Sequence, residues 1–268
     1  MLEALTVVPG TSANLAERDT RAVPDVDLRK DDADELVGER TARIELLQQR
    51  LYAENERAVL LVLQGMDTSG KDGAIKNVLR GITPAAFDVV GFKAPAGGEL
   101  ERDYLWRIHS QVPKRGRIGV FNRSHYEDVV AAHVRRGLAR ARVDTRYGHL
   151  NDFERLLTDE GTVVVKCFLH ISKDEQKERL QARLDDPEKR WKFRIGDLDD
   201  RARWDDFMAA YERAIAATST AHAPWIIVPA DRKWLRDVVV AEALARALER
   251  MDPKLPPDDP ALDDVTIT

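Results

Sequence analysis

The sequence predicts an α/β fold: one domain built on a five-stranded parallel sheet with helices on both faces. Three features point to it. Apolar runs of strand length, AVLLVL at 58–63 and TVVVKCFL at 162–169, lack the alternation of a half-exposed strand, so both of their faces must be covered. Helical periodicity fills the stretches between such runs. No internal repeat and no linker-like segment divides the chain into two cores.

In chain order, residues 1–30 mix Pro, Asp, Thr and Ala without a period and are expected to form a loosely ordered N-terminal arm. Residues 31–251 make up the domain. It opens on a helix that places Leu36, Ile44, Leu47 and Leu51 on one face. The first strand, 58–63, leads into a helix over 70–80. A short strand at 87–92, a helix over 100–111, a strand at 118–121 and a helix over 125–136 follow. The strand at 162–169 is succeeded by a helix over 173–184 and another over 199–217. A strand at 225–228 and a closing helix over 235–248 complete the pattern. Residues 252–268 begin Asp-Pro-Lys-Leu-Pro-Pro-Asp-Asp-Pro, an acidic Pro-rich tail that no helix or central strand tolerates.

Composition narrows the function. With 268 residues, 43% of them hydrophobic, the chain can bury a sizeable core. Its longest purely apolar run is far short of the roughly 20 residues that span a bilayer. Glu3 stands where a secretory leader would carry a cation, and the single cysteine, Cys167, excludes a disulfide framework or a Cys-cluster metal site. The expectation is a soluble cytoplasmic protein with no membrane partner. The net charge is −5, but it is unevenly spread. Residues 1–39 carry ten acidic against four basic side chains, whereas 102–147 carry eleven basic against four acidic. A basic middle can concentrate a polyanion on an acidic molecule, although solvated arginines on helix faces would read the same way.

The segment after the first strand, Gly65-Met-Asp-Thr-Ser-Gly-Lys71-Asp72-Gly73, fits the phosphate-loop spacing G-x-x-x-x-G-K. Gly65 and Gly70 let the loop wrap around an anion, with Thr68 and Ser69 between them, and the following helix adds its positive dipole end. Lys71 supplies a mobile cation. Asp72 takes the place of the Ser/Thr that ordinarily touches Mg²⁺. A carboxylate inside an anion-binding loop implies a bridging cation, which makes Asp67 the candidate metal ligand. Asp72, in the first helical turn, also suits the helix dipole.

The strand at 118–121 runs into Asn122-Arg-Ser-His-Tyr-Glu127-Asp128, at the carboxyl end where ligands of open parallel sheets gather. Arg123 could clamp a phosphate there. Glu127 or Asp128 could hold a metal or the acceptor, with Asp128 the nearest candidate for a second metal carboxylate. His125 reads as a hydrogen-bonded structural residue rather than a base. Residues 179–194 hold six cations around Pro187, including Arg183, Lys189 and Lys192, a pattern suited to a basic lid over a transferring group or to a solvated charged hairpin.

Six blocks in order, GMDTSGKDG (65–73), FKAP (92–95), DYLWRIH (103–109), FNRSHYEDV (121–129), DPEKRWKF (186–193) and TSTAHAPW (218–225), together resemble the family-2 polyphosphate kinases. The resemblance implies a P-loop kinase fold of the thymidylate-kinase-like type, with a helical lid at about 179–198. It implies Mg²⁺-dependent transfer, with Mn²⁺ able to substitute, between inorganic polyphosphate and AMP or ADP, giving ADP and ATP reversibly. It also implies assembly as homodimers or homotetramers. By the match of motifs, Asp67 and Asp128 correspond to metal-associated carboxylates and Lys71 to the loop lysine. Arg123, Arg183, Lys189 and Lys192 correspond to phosphate-contacting or lid positions, and Lys93 and Glu127 to the nucleotide side. The Tyr126-Glu127 pair resembles the class that accepts AMP as well as ADP. Ala96, Arg102 and His133 stand where the family usually has Thr, His and Arg.

Two other functions share these features. An ATP-dependent nucleoside-monophosphate kinase has the same loop, lid and fold with a different donor. A non-catalytic polyanion-binding protein would use the basic middle alone, but anion binding gains nothing from carboxylates in the site. Nucleic acid is not an expected partner.

Overall fold

The computed structural model describes residues 1–24, 28–260, Val265 and Ile267. Five apolar segments pair into one parallel sheet: β1 (Ala58–Gln64), β2 (Phe87–Gly91), β3 (Ile118–Asn122), β4 (Thr162–His170) and β5 (Trp225–Pro229), side by side in the order β2-β3-β1-β4-β5. All seven residues of β1 are buried, as the lack of alternation requires. The register sets Leu63 beside Asn122 on one side and Cys167 on the other, so β1 and β3 end within one residue of each other while β4 runs two residues past β1. The chain builds to one side of β1 first and then crosses to β4. That reversal opens a crevice above the β1 carboxyl end, where this topology takes its ligands.

The helices are α1 (Leu2–Leu5), α2 (Ala33–Glu54), α3 (Lys71–Val78), α4 (Trp106–His109), α5 (Val130–Arg136), α6 (Arg140–Asp159), α7 (Lys173–Asp185), α8 (Gly196–Ala202), α9 (Trp204–Thr218) and α10 (Lys233–Met251). α10 packs on β1, β4 and β5 and carries α2 and α3 against it, with α3 also reaching β3, while α6 packs on β4 with α9 and α5 beside it, so both faces are covered. Ile44 and Leu51 of α2 are fully buried, and Arg40 pairs with Glu242 of α10 at 2.7 Å. No helix among the described residues is long and apolar enough to cross a membrane.

The structure differs from the sequence expectation in several places. The helix expected over 100–111 shrinks to α4, because Asp103 turns the chain by accepting from the Leu105 and Trp106 amides. The one expected over 125–136 opens with a 3-10 turn at His125–Asp128 before α5 begins. The one over 199–217 is two helices that meet at Arg203.

The largest difference lies at the start of the chain. Instead of a loose arm, residues 1–24 form a packed strap. Leu5, Val7, Ala13 and Leu15 are buried, Thr6 makes an antiparallel bridge with Ile226, and the Val7 amide donates to the Trp225 carbonyl at 2.8 Å. Glu212 of α9 accepts from the Ser12 hydroxyl and the Asn14 and Leu15 amides. The physical reason is the free edge of β5, whose unpaired backbone groups the strap satisfies. These apolar residues follow no period, so composition alone misreads them. The remainder of the expected arm at 25–27 and of the expected tail at 261–264, 266 and 268 lies outside the described residues; residues 253–259 have no regular structure.

One charge sits inside the sheet. Lys166, mid-β4 and fully buried, donates to Glu154 at 2.6 Å, the Thr218 carbonyl at 2.7 Å and the Tyr126 hydroxyl at 3.0 Å. Glu154 also accepts from Tyr126 at 2.8 Å and contacts His125 Nε2 at 3.1 Å. His125 is thus a buried structural partner in this network, which ties α6, β4 and the turn after β3 together.

Candidate active site

The loop between β1 and α3 is shaped by close approaches. A side chain at Gly65 would meet the Leu169 carbonyl at 2.6 Å, and one at Gly70, where φ is +99°, would meet Arg236 Nη1 at 1.9 Å. Gly73, three residues on, faces the same guanidinium. Thr68 adopts a left-handed φ of 66° inside the turn closed by the Ser69 amide on the Met66 carbonyl. Lys71 folds back into this loop, its ammonium donating to the Gly65 carbonyl at 2.8 Å, the Met66 carbonyl at 3.1 Å and Ser69 Oγ at 3.2 Å. Burial and the nearby Arg123 bring the Lys71 pKa down to about 8, against the pull of Asp67, Glu127 and Asp72.

Parallel pairing places Arg123 directly across from the loop, its amide donating to the Leu63 carbonyl and its φ at +64°. Its guanidinium is hydrogen-bonded to Asp67 and also reaches Glu127 at 3.3 Å. Asn122 donates to Asp72 at 2.6 Å. From α5, Arg135 grips Asp200 of α8, with Nε to Oδ1 at 2.7 Å, and extends to Asp67 at 3.8 Å. Burial works to raise the Asp67 pKa, but Arg123, Lys71 and Arg135 outweigh it and hold the carboxyl below its ordinary value. Asp200 and Asp197 are pushed the other way, by burial and then by neighbours that include Asp67. Asp67 is therefore the member of this carboxylate group that stays ionised to lowest pH.

These groups face a cavity of about 1650 Å³. Asp67, Thr68, Gly70, Lys71, Asp72 and Arg123 line its floor, and Lys93 one wall. Arg183, Lys189 and Lys192 line it from the segment after β4, where α7 stops at Asp185, Pro187 turns the chain and α8 returns. Lys192 lies over the Trp191 ring at 5.2 Å, and Lys189 pairs with Asp186.

Gly65, Ser69, Glu127 and Asp128 lie outside the lining. Gly65 and Ser69 support Lys71, and Glu127 pairs with Arg123. Asp128 is 2% exposed and held by Arg107 at 2.8 Å and Arg136 at 3.1 Å. Asp128 thus sits on Arg107 of α4 and Arg136 of α5 rather than in the cavity lining that includes Asp67. Arg107 links it there to the Lys93 carbonyl at 2.8 Å.

Sequence reasoning missed Arg135, Asp200 and Arg236, and within the expected lid segment it did not single out Arg179 or Asp197; all five line the cavity. One signal was present for Arg236: two glycines three apart at the start of a helix leave room for a close neighbour.

A divalent cation fits this donor set. Asp67 is anionic and opens on the cavity, and its neighbours supply hard oxygen rather than sulfur or imidazole. No group of three or more His, Cys, Asp or Glu side chains arranged for a metal occurs among the described residues. The fit is thus to a cation held by one or two carboxylates and completed by substrate phosphates, as Mg²⁺ commonly is.

Comparison with known proteins gives the same direction. A family model for polyphosphate kinase 2 matches residues 27–256. The AMP/ADP-polyphosphate phosphotransferase of Meiothermus ruber is 50% identical over 225 residues, 84% of each chain. The ADP-polyphosphate phosphotransferase of Rhodopseudomonas palustris is 43% identical over 239 residues, covering 85% of this chain and 83% of that one. The crystal structure of polyphosphate kinase 2 from Arthrobacter aurescens TC1 superposes with a TM-score of 0.92 at 44% identity, covering 97% of this chain and 94% of that one.

Proposed function

The chain belongs to the polyphosphate kinase 2 family, and from that premise we propose that it transfers phosphoryl groups from inorganic polyphosphate to AMP and to ADP. The observation that carries this reading is the 50% identity, over 84% of both chains, to a phosphotransferase named for AMP and ADP. The physical support is a cavity whose floor is a phosphate loop and whose roof is cationic, large enough for two anionic substrates at once.

Phosphoryl transfer asks little covalent chemistry of a protein, since positioning and electrostatics supply most of the acceleration. Lys71 is released from its loop carbonyls when a phosphate offers better acceptors, and with Arg123 it neutralises charge on the transferring group. Arg183, Lys189 and Lys192 close from above and expel water, in a lid spanning about 179–198. Arg135 exchanges Asp200 for phosphate oxygen as the lid closes. Lys93 and Glu127 form the nucleotide side. Asp128 acts through Arg107 to fix the Lys93 segment, and its oxygens reach a cation only if an arginine lets go. Phosphotransferases of this family depend on a divalent metal; Mg²⁺ fits here, with Asp67 as its protein ligand, and when bound it would offset donor and acceptor charge. A nucleoside phosphate is already ionised at neutral pH, so no strong general base is required. The reading includes a cytoplasmic homodimer or homotetramer, checked by light scattering.

The test is a reaction of purified protein with Mg²⁺, long-chain polyphosphate and AMP, without ATP, followed by chromatography. ADP and then ATP should appear. ADP alone would limit the acceptor to AMP. Product only when ATP replaces polyphosphate would move the assignment to an ATP-dependent nucleoside-monophosphate kinase. Salt-sensitive polyphosphate binding without turnover would leave a binding protein.

A further inference from the structure

Two side chains of α7 reach behind the phosphate loop. Gln176 is fully buried, and its amide donates to the Asp67 carbonyl at 3.2 Å while its oxygen accepts from Arg201 of α8 at 3.2 Å. One turn later, Arg179 donates to the next carbonyl, that of Thr68, at 2.9 Å. The same guanidinium bonds the carbonyls of Ala230 at 2.6 Å and Asp231 at 3.0 Å, and Glu175 holds it at 2.7 Å. The Asp231 carboxylate is itself fixed by the Ser172 amide and hydroxyl and by Thr20 of the strap.

The turn these residues hold is strained. Thr68 is β-branched, yet its φ is 66°, where β-branched side chains are outliers, and its hydroxyl is buried without a partner. A residue kept in a sparsely populated conformation persists only where its surroundings over-determine it. Here both flanking peptide carbonyls are pinned. A planar peptide points its N–H opposite its carbonyl, so pinning the Asp67 carbonyl aims the Thr68 amide away from α7. Asp67 and Thr68 both line the cavity.

We propose that Gln176 and Arg179 are positioning residues for phosphoryl transfer: they hold the Met66–Ser69 turn in its strained form and so present Asp67 and the Thr68 amide to the transferring phosphate. Neither touches the reacting atoms. Through Arg201 and Arg179, both legs of the lid and the loop before α10 are bonded to the phosphate loop, which makes the lid base and the loop one mechanical unit. The inference rests on the phosphotransferase reading above.

Gln176→Glu keeps the size of the side chain and an acceptor for Arg201 but cannot donate to Asp67. Arg179→Lys keeps the charge but reaches one carbonyl rather than three. Each should lower kcat by about tenfold to a hundredfold, the range a misplacement near 1 Å produces. KM for AMP should stay within about twofold of the parent, and tripolyphosphate, titrated calorimetrically without nucleotide, should bind more weakly. Gln176→Met serves as the second variant should the Glu form fail to fold. Variants that melt with the parent and keep its kcat and tripolyphosphate affinity would overturn the proposal. So would a loss that merely follows the folded fraction. A parent enzyme inactive with polyphosphate and AMP would instead sink the phosphotransferase reading, while tripolyphosphate binding would still test the clamp.

Discussion

Raising the pH from 7 to 9 should disarm this enzyme while stabilising it, and both effects come from Lys71. Its ammonium is buried beside Arg123, with a pKa near 8 in place of 10.5. About nine-tenths of the free enzyme then carries the proton at pH 7 and about one-tenth at pH 9, so kcat/KM for polyphosphate should fall roughly tenfold across that interval. Bound phosphates favour the charged form, so the fall in kcat should begin at higher pH than the fall in kcat/KM. Stability moves the other way. Between about pH 8 and 10.5 the unfolded chain still holds a proton that the folded protein has released, so Lys71 alone adds stability as pH rises, up to about 3 kcal/mol. The assay is initial rate at limiting polyphosphate from pH 6.5 to 9.5, with Lys71→Arg as control. Arginine stays charged throughout, so its profile should be lower but flat. A flat parental profile to pH 9, or the same fall in Lys71→Arg, would refute the assignment of the proton to Lys71.

Three further outcomes are expected. Asp67→Asn removes the cavity carboxylate that Arg123 bonds and Arg135 approaches, leaving them Glu127 and Asp200, and should cut turnover by about a hundredfold or more with the circular dichroism spectrum intact; near-parental turnover contradicts its role. Gly70→Ala combines a left-handed φ with a 1.9 Å collision against Arg236, whereas Gly73→Ala meets the same group at 3.0 Å with ordinary φ. The first should therefore lose far more kcat/KM than the second, and equal losses would be inconsistent with Arg236 as the cause. Lys166→Met strands Glu154 in the core and should cost about 3 kcal/mol or more in urea unfolding, a change below about 1 kcal/mol being incompatible with a buried pair.

The sheet was legible in the sequence because β1 and β4 are apolar on both faces, and the phosphate loop because its glycines have no substitute at such close approaches. The expected fold class and family both hold. Lys166 is visible in the otherwise apolar run TVVVKCFL, but its burial is not, since nothing local reveals that Glu154 and Tyr126 will meet it. Asp128 looked available because it follows β3 so closely; its direction depends on a 3-10 turn and on Arg107, twenty-one residues earlier. The Arg135–Asp200 contact joins positions 65 residues apart and leaves no periodic trace. Gln176 and Arg179 escaped for a different reason: they act on backbone carbonyls, which every residue has, so no partner side chain marks them.

The strap has a consequence for how the protein is made. Val7 leaves the ribosome well before Ser219, whose hydroxyl bonds its carbonyl and lies 212 positions later. Until β5 has emerged, the nascent chain carries a short apolar segment without its docking strand, and β4 exposes an unpaired edge. Closure of so long a loop comes late and slowly, because its entropy must be lost before the contact returns anything. Emergence of β5, rather than synthesis of the four strands before it, is then the step at which the open edge of β4 is covered, and chains stopped short of β5 would be the aggregation-prone products.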